Sequence, residues 1–378
     1  MKTLYFDNAA TTRVDASVAE IVANYNGDLF FNPSANYFKS VDVHNKIEEA
    51  RKRILSCLQG YNGRLIFTSS GSEGDNQAVF CSKKRKKSNV VISASEHPAI
   101  YNTALQLKNL DFEVRIAPVD GVGRVLEDEF LKLIDENTSF VSVMHVNNET
   151  GGVNDVKTLI AKAKSVNPSI VFHVDGVQAF GKVPVRVSDL GADLYTISGH
   201  KIGAPKGIAA LYVKQGVSVS PLIFGGGQEQ GARSSTENVS GIMAFAFAAE
   251  RATAELSENS EKYQKFGNFL REELSDISEI KWISDEKCSP HVLTFAFKTV
   301  RGEVMQHALE ESGILMGTGS ACSARRSHDR IPRALGLKEY SDGIIRISFG
   351  RENTEEEVRF LAEKIKENYE ILKKYVGR

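Results

Sequence analysis

From about residue 64 to 214 the chain alternates short apolar, β-branched runs with amphipathic stretches of ten or more residues. The runs are RLIFTS, NVVIS, FEVRIA, SFVSVMHV, IVFHVD, DLYTIS and GIAALYV. Runs of this length, apolar toward both faces, belong in a sheet covered from both sides. Interleaved with helical patterns, they predict βαβ crossovers and hence an α/β fold with a mainly parallel central sheet covered by helices. Residues 236 to about 275 predict one or two long helices, from TENVSGIMAFAFAAERATAEL through YQKFGNFLREEL. After them VLTFAFK, GEVMQHALEE, GIIRISFG and a last helix predict a smaller α+β unit, so we expect a large domain over 1–250 and a small C-terminal domain over 251–378. In TEEEVRFLAEKIKENYEILKKY, Thr354 is the expected N-cap, with Glu357 completing a capping box. Val358, Leu361, Ile365 and Leu372 then fall on one face.

Composition narrows the class. The 378 residues are 42% hydrophobic and 25% charged, enough for a sizeable buried core, and the formal net charge is -1. A near-neutral chain gives no global electrostatic reason to bind nucleic acid or an anionic membrane, so partners must be recognised locally. The start MKTLYFDNAATT has no basic segment followed by an apolar run, and no membrane-length apolar stretch follows, so a cytoplasmic location is expected. The four cysteines, Cys57, Cys81, Cys288 and Cys322, are widely spaced. With no CxxC pair and no His at ligand spacing, neither a disulfide framework nor a metal site is expected. The basic run Lys83 to Lys87 reads as a solvated helix end, where cations offset the macrodipole.

In an open parallel sheet, ligands collect beyond the carboxyl ends of the strands. The polar residues that follow the expected strands are therefore informative. Ser69-Ser70-Gly71-Ser72-Glu73-Gly74 opens a helix, where free N–H groups favour a phosphate. Glu96-His97-Pro98, Asn147-Asn148-Glu149, Asp175 with Gln178, and Ser198-Gly199-His200-Lys201 follow four further strands. Any one of these could be an ordinary turn. Together they gather an imidazole, an amide, a carboxylate and an amine beside a phosphate cradle. Pyridoxal phosphate needs that set: a lysine for a Schiff base, a carboxylate facing the pyridine nitrogen, phosphate donors and a flat group against the ring. A separate oddity is Cys322, set in GTGSACSARR among Gly, Ser and Ala rather than the large apolar neighbours of a packed thiol.

The motifs YFDNAATT, FTSSGSEGDN, SEHPAI, HVNNETGG, HVDGVQAFGK, SGHKIGAPKG, GGGQEQGARSSTEN, GTGSACSA and IRISFGRENTEEE resemble, in order and nearly end to end, the cysteine desulfurases of the NifS/IscS kind. These belong to the class V aminotransferase-like group of PLP fold type I. The resemblance implies that Lys201 carries pyridoxal 5'-phosphate, that Asp175 pairs with its ring nitrogen and that His97 stacks on the ring. It implies that Gln178 and Asn148 contact the cofactor's phenolic oxygen or the substrate. Gly71, Ser72, Ser198 and His200 would hold the phosphate with Thr236 from the other subunit of a homodimer, and the segment 1–15 would pack near the site. Arg346 would clamp the substrate carboxylate, a task suited to a bidentate fork.

By the same resemblance Cys322 attacks the sulfur of L-cysteine, takes it as a persulfide and leaves alanine. Lys201 would move the Cα proton, with His97 as a second acid–base. The sulfur would pass to an acceptor protein, an iron–sulfur scaffold or an enzyme of tRNA or cofactor thiolation. Arg325 and Arg326 either support the thiolate or an acidic acceptor, or are solvated loop residues. Selenocysteine lyase and aminotransferase remain alternatives on this scaffold, since a fold hosts many reactions; a scaffold or regulatory subunit would be expected to have lost Lys201 or Cys322. Two departures stand out: Ser235 replaces a glycine before Thr236, and Gly71-Ser72 replaces Ala-Thr. The remaining histidines, His44, His145, His173, His291, His307 and His328, are assigned no work.

Overall fold

The computed structural model describes residues 3–80, 88–318 and 330–375. The basic run at 83–87 and Cys322, with Arg325, Arg326 and His328, lie outside them. The described strands are, in chain order, β1 (Leu4–Phe6), β2 (Gly63–Thr68), β3 (Asn89–Ser93), β4 (Glu113–Ala117), β5 (Thr138–Met144), β6 (Val171–Asp175), β7 (Leu194–Ser198), β8 (Ala209–Lys214), β9 (Ile280–Trp282), β10 (Val292–Phe297), β11 (Ile314–Met316) and β12 (Ile344–Ser348). The seven apolar runs form one sheet in the order β2-β8-β7-β6-β5-β3-β4.

Strands β4, β3, β5, β6 and β7 are mutually parallel, as the alternation predicted. The exception is β8, which runs antiparallel to both β7 and β2. Only residues 199–208 separate β7 from β8. That is shorter than the dozen or so residues a parallel crossover needs, so the chain turns back beside the strand it has left. The sheet reverses its winding between β3 and β5. In doubly wound sheets a reversal of this kind opens a crevice at the carboxyl ends.

Side chains leave the strands alternately, so each strand feeds two cores. Val91, Val141, Val143 and Val174 pack with the helices Phe38–Cys57, Val156–Val166 and Val239–Ala254 on one face. Val90, Ile92, Phe140 and Leu194 pack with the helices Gly71–Phe80 and Pro98–Gln106 on the other. The long helical stretch beginning at residue 236 resolves into two helices, Val239–Ala254 and Leu256–Glu273.

A separate core gathers β10, β12 and the helices Leu256–Glu273 and Glu355–Leu372, and it includes Leu4 and Phe6 of β1. Strand β1 pairs in parallel with β11, which fixes the first residues of the chain to its last third. Phe349 lies at the centre, its ring 6.4 Å from Phe6, 6.1 Å from Tyr263 and 5.5 Å from Phe266. The final helix is capped as expected, with Thr354 Oγ1 accepting from the Glu357 N–H at 3.3 Å. Val358, Leu361 and Ile365 are buried and Leu372 is partly buried. Among the described residues no helix is long and apolar enough to cross a membrane.

Phe349→Ala empties a fully buried ring site. It should cost about 3–5 kcal/mol of stability by chemical denaturation, and it should loosen β1 as well as the final helix in hydrogen exchange; unchanged β1 protection would show that the shared core does not hold that strand.

Candidate active site

The crevice is built on close packing. The helix after β2 begins at Gly71, and a Cβ there would come within 3.0 Å of Val177 Cγ2 and 3.5 Å of Ser198 Cβ. Glycine therefore lets this helix N-terminus approach the ends of β6 and β7. Ser70 Oγ accepts from the Glu73 N–H at 3.1 Å, and the Glu73 carboxylate accepts from the Ser69 N–H at 2.8 Å and from Arg233 Nε at 2.9 Å. These bonds brace the turn. Ser198 is buried, and its Oγ has no partner among the described residues. An orphaned hydroxyl facing a helix N-terminus suits an anion.

Lys201, just after β7, lies across from Asp175 at the end of β6. Its Nζ donates to the carbonyls of Ala9 at 2.6 Å and Ala10 at 2.9 Å. Burial, and then the Arg346 guanidinium, lower its pKa to about 8 against the pull of Asp175, Asp7 and Glu149. The Asp175 carboxylate is buried and accepts from the Val177 N–H at 2.9 Å. Burial raises its pKa to about 6, with that hydrogen bond and Lys201 opposing.

His97 caps the helix Pro98–Gln106, its Nδ1 accepting from the Ala99 N–H at 3.1 Å. The neutral ring thus carries its proton on Nε2. Its ring is open to solvent at the crevice but is flanked by protein, and desolvation followed by the cations Lys201 and Arg330 lowers its pKa to about 4. Arg330 donates from Nη1 to the Ala94 carbonyl and from Nη2 to the Glu96 carbonyl, both at 2.6 Å, and stacks over Tyr101. His200 meets Thr11 Oγ1 at 3.1 Å, and its carbonyl accepts from the Thr12 N–H at 2.9 Å. The N-terminal segment therefore lies directly against the crevice.

Arg346, on β12, reaches the same place from the other core. Its Nη2 is 2.8 Å from Asp7 Oδ1, and its Nη1 donates to the Asn148 carbonyl at 3.0 Å and lies 3.4 Å from Glu149 Oε2. Asn148 Nδ2 donates to Glu149 at 2.7 Å. Gln178 Nε2 donates to the Ala9 carbonyl at 2.8 Å, while its Oε1 meets His291 Nε2 at 3.3 Å. Four participants went unassigned in the sequence: Asp7, Glu149, His291 and Arg330. Asp7 stands inside the YFDNAATT motif, and Glu149 follows Asn148, so their positions were visible. Their partner is not, because Arg346 lies 339 residues from Asp7.

Thr236 is exposed. Ser235 before it has φ +144°, a region comfortable only for glycine. The segment leading to Cys322 starts inside the site: Gly317 exchanges two backbone hydrogen bonds with Arg346, at 3.1 and 2.9 Å. A Cβ at Gly317 would lie 2.9 Å from Asp7 Oδ1 and 3.0 Å from the guanidinium, so the close approach requires glycine. A cavity of about 640 Å³ opens elsewhere, near Arg13, Lys182 and Tyr263. Its charges are largely paired with each other, Arg251 and Arg351 both on Asp15, and it holds neither Asp175 nor Ser198. The strand-end crevice, not this cavity, gathers the chemistry.

Comparison with known proteins places the chain in a family. A family model described as Aminotransferase class-V matches residues 4–361. A protein named cysteine desulfurase IscS from Clostridium botulinum is 36% identical over 371 residues, covering 96% of this chain and 93% of that protein. A solved structure described as a NifS-like protein superposes with a TM-score of 0.91 at 34% identity, covering 98% of this chain and all of that one. Another, described as SspA in complex with cysteine, gives a TM-score of 0.80 at 29% identity over 92% of this chain and 99% of that one.

With its lowered pKa, Lys201 is protonated below about pH 8 and gains nucleophilicity as pH rises through that value. Its acylation rate, followed by peptide mass spectrometry in cofactor-free protein, should show that midpoint. Arg346→Gln should move the midpoint upward, because a neighbouring cation is lost; a midpoint near the usual ~10.4 in wild type would contradict the buried setting. Ser235→Gly should stabilise the protein by about 1 kcal/mol through relief of the positive φ, and a loss on denaturant titration would contradict the strain.

Proposed function

The chain belongs to the Aminotransferase class-V family of pyridoxal-phosphate-dependent enzymes, and within it to the cysteine desulfurases; on that premise we propose how its residues divide the work on free L-cysteine. The observation that carries this reading is a half-buried low-pKa amine, Lys201, near a buried carboxylate, Asp175, beside an orphaned Ser198 hydroxyl and the Gly71 turn. That donor set fits pyridoxal phosphate: Lys201 for its aldehyde, Asp175 for its ring nitrogen, and His97 against its ring. Gly71, Ser72, Ser198 and His200 suit its phosphate, and Asn148 and the buried Gln178 suit its phenolic oxygen or the substrate. When bound, it supplies an electron sink for the carbanion at the substrate Cα.

The chain supplies the remaining chemistry. Arg346 receives the substrate carboxylate by exchanging it for Asp7, whose ion pair holds the fork in place beforehand. Lys201 Nζ carries the proton to and from the substrate carbon, and His97, neutral at physiological pH, offers Nε2–H as a second proton donor. Cys322 Sγ attacks the substrate sulfur. A sulfur–sulfur bond forms, the substrate carbon–sulfur bond breaks, and its electron pair stays with the carbon that is protonated and leaves as alanine. The Cys322 segment starts at Gly317 on the Asp7–Arg346 pair, which supports delivery of the thiol to a substrate held there.

The crevice lies between residues of a large domain, 1–250, and a small one, 251–378. Exposed Phe30, Phe38 and Phe224 support a homodimer in which Thr236 completes the other subunit's phosphate site. From Cys322 the sulfur passes to an acceptor protein of iron–sulfur or of tRNA or cofactor thiolation chemistry, in the cytoplasm.

Sulfide and alanine release from L-cysteine under excess thiol should be lost to background in both Lys201→Ala and Cys322→Ser. Mass spectrometry of wild type incubated with cysteine and no reductant should add one sulfur to the Cys322 peptide. Undiminished turnover in Cys322→Ser would reject the persulfide route, and efficient amino transfer to a keto acid would favour the transaminase alternative.

A further inference from the structure

A buried row of hydrogen bonds ends on the carbonyl that holds Lys201, and it begins at a side chain from the other core. His291 immediately precedes β10, and its carbonyl accepts from the Phe349 N–H at 2.9 Å. Ser289, two residues earlier, donates its N–H to the Gly151 carbonyl at 2.7 Å. His291, Ser289 and Gln178 are all buried, so each must find its partners within the protein.

The chemistry of these groups fixes the direction of every bond in the row. A carbonyl only accepts, so the end of the Gln178 amide 2.8 Å from the Ala9 oxygen is the NH2. The amide oxygen then faces His291. It too only accepts, and His291 Nε2, 3.3 Å away, must therefore carry a hydrogen. Burial, and then the cations Lys182, Lys201 and Arg346, hold the ring neutral, which leaves Nδ1 bare. The Ser289 hydroxyl, 2.7 Å from Nδ1, donates to it. For a neutral ring, every other assignment sets two acceptors face to face in a buried site.

The row has a consequence at its far end. The Ala9 carbonyl that takes the Gln178 hydrogen also takes Lys201 Nζ, at 2.6 Å. Two donors share one oxygen. The Gln178 hydrogen draws on the same acceptor and sets a positive dipole end beside the amine, and both effects weaken the hold of that carbonyl on an ammonium.

We propose that His291 is a positioning residue: its Nε2–H, given to Gln178 Oε1, fixes the amide with its NH2 toward Ala9 and Lys201. Gln178 then shares the carbonyl on which the amine rests and presents a donor to the crevice, with a second hydrogen left to give. Without the His291 hydrogen, nothing holds the amide oxygen away from that side. The use of the donor by a phenolic or carboxylate oxygen rests on the proposed function, whereas the orientation of the amide does not.

The test uses the full-length protein without cofactor, so failure of the proposed function leaves it standing. ¹⁵N NMR of labelled histidine, with His291 assigned by loss of its signals in His291→Gln, should show Nε2 protonated and Nδ1 not at neutral pH; Nδ1–H would overturn the proposal. The second readout is the midpoint pH of Lys201 acylation, about 8 in wild type. The groups around that amine, Arg346, Asp175, Asp7 and Glu149 with the neutral rings of His97 and His200, are untouched by substitution at 291 or 178. His291→Met removes the hydrogen at similar volume and should raise the midpoint by about 0.5–1 pH unit, the size of one ordinary hydrogen bond. Gln178→Met should raise it likewise, and the double variant no further than Gln178→Met alone. His291→Gln, whose amide restores an N–H near the place of Nε2, should keep the wild-type midpoint. An unmoved midpoint in His291→Met, a further rise in the double variant, or a rise in His291→Gln equal to that in His291→Met would overturn the proposal.

Discussion

The structure depends on holding a half-buried amine on backbone carbonyls rather than on a full counter-ion. Lys201 Nζ rests on the carbonyls of Ala9 and Ala10, which satisfy its hydrogens while contributing only dipoles. Burial and Arg346 then favour the neutral form. A lysine paired tightly with a carboxylate would remain protonated and inert as a nucleophile. Asp175 lies near enough to be felt, but its own oxygen is committed to the Val177 N–H. With only weak partners, its pKa lies at about 8.

This arrangement explains why the first residues of the chain belong to the site. Strand β1 is fixed in the core that also holds β12, through Phe6 and Phe349. The turn that follows sends Asp7 to Arg346 and the carbonyls of Ala9 and Ala10 to Lys201. One short motif therefore positions both the Arg346 guanidinium and the Lys201 amine. Small residues permit the fit. Gly71 lets a helix N-terminus close on Ser198, and Gly317 lets backbone lie on the Asp7–Arg346 pair.

Much of this was legible in the sequence. The seven apolar runs gave the seven strands of the large sheet, and the residues following them supplied His97, Asn148, Asp175, Ser198 and Lys201. Strand ends are local, so sequence position translated directly into place. The direction of β8 was not legible from its apolar run; it follows from the short connection behind β7. Asp7, Glu149 and His291 escaped assignment because a carboxylate or imidazole acquires a role only from its partner, and the partners come from the far end of the chain or another core. His173 was assigned no work, and the structure buries it between the hydroxyls of Ser142 and Thr196.

The most direct measurement is borohydride reduction of the protein after incubation with pyridoxal phosphate, which makes permanent any link between an amine and the aldehyde, followed by peptide mapping. A single modification is expected, on Lys201, formed in preference to the many surface lysines and lost in Lys201→Ala. Labelling scattered over exposed lysines, with the Lys201 peptide unmodified, would contradict it.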